Sequence, residues 1–185
     1  IQFTYMASSI IKKAYGPTLA MCLFSLLLLN TNNQAQSLKR HLVTKIQDEG
    51  TLYFINPLID FKGEKSKLEY DITYLANNDS ATFNFTYFTK ELYQIDSILF
   101  INATSTSRAK VNKLFVDHVK NKWEHRYSAR IPLNELQVFL TDENPGDLVL
   151  LSTDSVKKNY SLNNGKWKKQ KELLSKIFDL IEANS

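Results

Sequence analysis

Two stretches of this chain alternate so regularly that they leave little room for anything but β-structure. Leu68, Tyr70, Ile72 and Tyr74 interleave with Glu69, Asp71 and Thr73; Phe83, Phe85 and Tyr87 interleave with Thr82, Asn84 and Thr86. A period of two gives each strand one apolar and one polar side. Between them Ala76-Asn77-Asn78-Asp79-Ser80 has the composition of a turn. The pair therefore reads as an antiparallel hairpin with both aromatic rows on one face of the sheet.

Shorter signals surround this hairpin. Residues 51–56 read as an aromatic strand stopped by Pro57, and residues 97–102 as a continuous apolar strand buried on both faces. Residues 103–110 read as a polar loop. Two further strands, 114–119 and 123–131, flank a Lys120-Asn121-Lys122 turn, with a helix through residues 118–126 as the rival reading. Residues 148–152 and 158–162 form a last strand pair.

Helical spacing occurs three times. Leu38, Leu42 and Ile46 lie four apart and predict a helix over residues 37–48, ended by Gly50. Pro132 opens a second, carrying Leu133, Leu136 and Leu140, which Asn144-Pro145-Gly146 breaks. The chain ends in a third, N-capped by Asn164, with Trp167, Leu174, Phe178 and Ile181 in one stripe. That stripe needs a partner, and the aromatic face of the hairpin is the obvious one. The expected fold class is α+β: a mostly antiparallel sheet of hairpins and meanders with a covering C-terminal amphipathic helix.

The first 37 residues read as a leader. Residues 1–5 look like translated upstream sequence, Met6 is the expected start, and Lys12 and Lys13 precede a 12-residue apolar run, Thr18 to Leu29. Small polar residues follow, so the layout is that of a signal peptide cut after Ala35 or Ser37. The run is short of the roughly 20 apolar residues that a membrane anchor needs. Cys22 precedes more apolar sequence, which argues against a lipoprotein. Residues 38–185 are then expected to form a single exported domain, periplasmic or extracellular, of a Gram-negative bacterium.

Composition narrows the function classes. The whole chain carries 23 Lys and Arg against 19 Asp and Glu, but two of those lysines lie in the leader, leaving 21 against 19. A balance of +2 does not imply a nucleic-acid binder. Cys22 is the only cysteine, so residues 38–185 hold no disulfide, thiolate zinc site or cysteine nucleophile. Four Asn-x-Ser/Thr triplets, at Asn78, Asn84, Asn102 and Asn159, read as turns and strand edges in so Asn-rich a chain.

Catalytic signals are sparse. No serine elbow or glycine-rich phosphate loop occurs. The strongest metal candidate is His118, Glu124 and His125, which a tight hairpin about Asn121 would bring close. Against it, period-two alternation sends Glu124 and His125 to opposite faces. Two basic groups stand out instead. Lys157, Lys158, Lys166, Lys168, Lys169 and Lys171 gather around Trp167, where cations oppose the helix dipole and so suggest another use. Arg126 and Arg130 share one face of a strand. The expected function is a binding or interaction module of the bacterial envelope for protein, glycan or an anionic surface, with no cofactor and no membrane span after cleavage. The alternatives are a small hydrolase or zinc enzyme around the two histidines, and a subunit that completes a neighbour's sheet.

Overall fold

The period-two runs pair as their alternation requires, and then the sheet continues until it meets itself. The computed structural model describes residues 38–153 and 157–184; the segment read as a leader, 1–37, lies outside the described residues. In chain order the elements are β1 (Leu42–Gln47), β2 (Gly50–Ile55), β3 (Phe61–Lys62), β4 (Lys67–Leu75), β5 (Ser80–Thr89), β6 (Ile95–Ile101), β7 (Thr106–Val119) and β8 (Lys122–Pro132). There follow α1 (Leu133–Thr141), β9 (Asp147–Ser152), β10 (Lys157–Ser161) and α2 (Asn164–Glu182). Residues Arg40–Ser185 make one compact unit.

The hairpin of β4 and β5 is in the expected register, with Leu68 opposite Tyr87, Tyr70 opposite Phe85 and Ile72 opposite Phe83. Its turn passes through Asn77 at φ 66°, a left-handed conformation that asparagine tolerates. β5 also pairs with β8 along its whole length. From β8 the order runs through β7, β6, β9, β10 and β3 back to β4. All eight strands are antiparallel to their neighbours, so the sheet closes into a barrel. β1 and β2 form an additional hairpin on the far half of β4.

This closure overturns the expected sheet with a covering helix. The aromatic faces need no helix as a lid because they cover one another across the lumen. Eight strands enclose a bore that side chains just fill, and here Phe61, Phe83, Phe85, Phe100, Tyr87 and Tyr127 are almost wholly buried. The helices serve one end instead. α1 follows the end of β8 and α2 the end of β10, and the two pack together there. Phe139 of α1 plugs that end, 6.2 Å from the Phe61 ring and 5.2 Å from Phe100. Behind it Trp167 of α2 stands edge-on at 6.1 Å, its indole N–H donating to the Asp142 carbonyl.

Other expectations shift by smaller amounts. Within the helix expected over residues 37–48, Leu42–Gln47 is strand β1. Its apolar spacing is real, but Ile46 is exposed, so no helical stripe is buried there. Pairing with β2 decides the matter, and Gly50 at φ 133° makes the turn between them. The loop expected over residues 103–110 ends early, since Thr106 already pairs with Ile101. In β6, Asp96, Leu99 and Ile101 are only half-buried, so that strand has one covered face rather than two. Asn163 rather than Asn164 caps α2, its side chain accepting from Lys166 N at 3.0 Å.

The outer wall is polar where β4, β5 and β8 meet. Arg126 donates to Thr86 Oγ1 at 2.9 Å and to Asp71 Oδ1 at 2.5 Å, and Asn84 donates to the other Asp71 oxygen at 2.7 Å. Together with Glu69, Thr73, Ser128 and Arg130 this row makes that part of the wall polar, whereas Leu114 and Phe115 of β7 are exposed. No described helix is long and apolar enough to cross a membrane.

Candidate functional site

Lysines collect at the barrel end opposite the helices. There β3 ends at Lys62 and β4 starts at Lys67, joined by the turn Gly63-Glu64-Lys65-Ser66, in which Gly63 N donates to Ser66 O at 2.9 Å. At the same end β7 turns into β8 through Lys120 and Asn121, at φ 48° and 63°. Positive φ at both turn residues suits the right-handed twist of the hairpin. A groove of about 930 Å³ lies on the outer surface between these two turns. Phe88 and Val119 supply its apolar part; Lys62, Lys65, Lys67, Lys120 and Lys122 line it. Lys67 is held by Asp60 and Glu69. No salt bridge joins the other four to an acid among the described residues. Glu64 is the one acid in the lining.

A second depression, of about 660 Å³, adjoins the first across the Gly63–Ser66 turn and adds Lys157 and Lys158 from β10. Lys158 is half-buried and lies 4.1 Å above the Tyr93 ring. Burial lowers its pKa from the ordinary lysine value, and the charge of Glu91 partly offsets that.

Beneath this rim the lumen is lined by polar side chains as well as aromatic ones. His125 is fully buried and stacks on Tyr87, with centroids 4.7 Å apart and planes 4° from parallel. Thr89 Oγ1 donates its single proton to the Glu91 carbonyl at 2.6 Å. It must therefore accept from His125 Nε2–H at 2.8 Å, which leaves Nδ1 as the bare nitrogen. Burial, reinforced by the charge of Lys158, pushes the His125 pKa down to about 4. Burial also raises the Tyr87 phenol above the usual tyrosine range. Among the described residues, His125 Nδ1 is buried without a hydrogen-bond partner.

The residues singled out from sequence are scattered by the fold. His118, Glu124 and His125 do not converge. His118 is exposed and packs edge-on against Trp123, Glu124 lies opposite Asp117 on the outer face, and His125 points into the lumen. Among the described residues no group of three His, Cys, Asp or Glu side chains is placed to hold a metal.

The basic group around Trp167 is split. Lys157 and Lys158 stand at the start of β10 and Lys166, Lys168 and Lys169 beyond its end, while Trp167 itself belongs to the core. Near α2 the acids Glu143 and Glu172 share a depression with Lys168 and Lys171, and Lys171 is ion-paired to Glu143. Arg126 is engaged in the wall, and Arg130 donates to Ser80 Oγ at 2.6 Å near the helix end. Sequence reading passed over Lys62, Lys65 and Phe88, because it is the long-range β5–β8 pairing, joined to the β3–β4 and β4–β5 pairings, that brings them beside the β7–β8 turn. No protein-family model, curated protein or solved structure matches this chain.

Proposed function

We propose that this chain is an exported, non-catalytic binding module of a bacterial envelope, and that its binding face is the lysine-rich barrel end. The observation that carries this reading is the convergence of Lys62, Lys65, Lys120 and Lys122, without acidic partners among the described residues, on one groove. Residues 38–185 have a formal excess of only two positive charges, so the attraction rests on this local cluster and not on the net charge. Clustered like charges repel one another and attract an anionic partner over about a Debye length. Export rests on the order of lysines, apolar run and small residues in the leader.

The test is retention on an immobilised polyanion such as heparin. Joint replacement of Lys62, Lys65, Lys120 and Lys122 by Gln should lower the salt needed for elution. Joint replacement of Lys166, Lys168 and Lys169 should lower it much less. Equal effects from the two sets would remove the assignment of the face. Intact-mass measurement on chain recovered from a Gram-negative envelope checks the export half, the expected cut being after Ala35 or Ser37.

A further inference from the structure

We infer that the partner of this barrel end is an anionic lipid bilayer, with the strand turns lying in its headgroup layer; this rests on the binding face proposed above. The turn carrying Lys65, the connection carrying Lys90 and Leu92, and the turn carrying Lys120 all leave the barrel at one end. Register places the last two side by side. Thr89, where β5 ends, pairs with Trp123, and the next β8 residue outward, Lys122, pairs with Val119. Leu92 follows Thr89 by three residues and is 62% exposed, and Val119 is 36% exposed.

Lysines alone fit any anion. The apolar side chains among them decide between partners. A soluble anion would neutralise Lys65, Lys120 and Lys122 and leave Leu92 and Val119 in water. An anionic headgroup layer meets the ammonium groups with phosphates and takes the two apolar side chains into its acyl boundary. The polar wall of β4, β5 and β8, with Asp71, Asn84 and Arg126 bonded to one another, keeps that side of the barrel out of the hydrocarbon. Docking is therefore end-on and peripheral, with the helix end facing away from the lipid.

Flotation of the purified chain with vesicles of phosphatidylcholine, with and without phosphatidylglycerol, tests the inference. Binding is expected only to the anionic vesicles and should weaken with salt. Each of Lys65→Gln, Lys120→Gln and Lys122→Gln should weaken it roughly fivefold, and all three together about a hundredfold. Leu92→Ser should weaken vesicle binding and leave heparin retention unchanged, which a purely electrostatic face would not do. A polarity-sensitive dye on Leu92→Cys should shift to the blue on anionic vesicles, and residues 38–185 offer no other thiol. Heparin retention without vesicle binding would overturn the bilayer, and vesicle binding that Leu92→Ser leaves intact would overturn the seating of the turns in its headgroup layer; either leaves the anionic face standing. Loss of both bindings would bring down both.

Discussion

The rings of Phe83 and Phe100 meet edge-on with centroids 5.1 Å apart, although β5 and β6 are not neighbours in the sheet. Their contact crosses the lumen, so it exists only because the sheet has closed. Both rings also sit near the plugged end, where Phe139 stands edge-on to Phe100 at 5.2 Å.

Truncating either ring should therefore be costly. Phe83→Ala is expected to lower unfolding free energy by about 3–5 kcal/mol, and Phe100→Ala by a similar amount, through lost burial plus an unfilled cavity. Urea unfolding measures both. Because the rings touch, the double variant should lose less than the sum; strict additivity would mean that they do not share a core.

Gln170 joins α2 to the barrel by three hydrogen bonds. Its Oε1 accepts from Leu58 N at 2.9 Å and Ile59 N at 3.1 Å, and its Nε2 donates to Tyr70 Oη at 2.7 Å. Gln170→Leu fits apolar surroundings but leaves those groups without partners, at a cost of about 2–4 kcal/mol. Hydrogen exchange should then accelerate at the Leu58 and Ile59 amides. Unchanged protection there would show that the bonds do not hold the segment.

Gly146 is constrained by space. A Cβ there would stand 2.4 Å from a Phe139 ring carbon and 2.9 Å from the Ile101 carbonyl. Gly146→Ala must displace the ring that plugs the barrel, and overpacking of this kind costs about 1–3 kcal/mol. Gly165→Ala is the control, since only the Asn163 side chain lies near, at 3.9 Å. Thermal melts of the two variants should differ clearly, with Gly146→Ala the lower.

His125 predicts a pH dependence whose sign follows from its burial. Its folded pKa is about 4 against 6.5 unfolded, so between these values the unfolded chain holds a proton that the folded chain refuses. Stability should fall as pH drops from about 6.5 to about 4 and then level off, by at most about 3 kcal/mol from this group. His125→Phe keeps the stack on Tyr87 and removes the titration. The difference between the two proteins, followed by guanidinium unfolding across that range, should carry the slope; parallel curves would contradict it. Lys158→Gln should raise the His125 pKa, since the lysine charge is one cause of its depression.

How legible the fold was depended on the range of the interaction. Alternation in residues 68–74 and 82–87 set the β4–β5 hairpin, its register and its aromatic face, because side-chain direction in a strand is a local property of the backbone. The turn through Lys120 and Asn121 and the start of α1 after Pro132 were local in the same way. The stretch over residues 37–48 misled, because a spacing of four can be met by a strand when a neighbouring strand takes up its hydrogen bonds. The candidate metal set failed for a reason already present in its spacing: Glu124 and His125 are adjacent in a strand and face opposite ways.

Sequence by itself determined which residues turn inward along β4 and β5, where the turns that follow residues 68–75 and 114–119 fall, and that residues 38–185 carry no cysteine. Tertiary structure alone decided that the sheet closes, that the aromatic rows cover one another, and that the helices plug an end instead of lying on the hairpin. It also gathered Lys62 and Lys65 beside Lys120 and Lys122, some 55 residues further along the chain. The physical reason is that alternation specifies faces and not partners. Which strands meet is settled by the sum of many weak pairings and by the fit of side chains in the bore, quantities that no local window of residues contains.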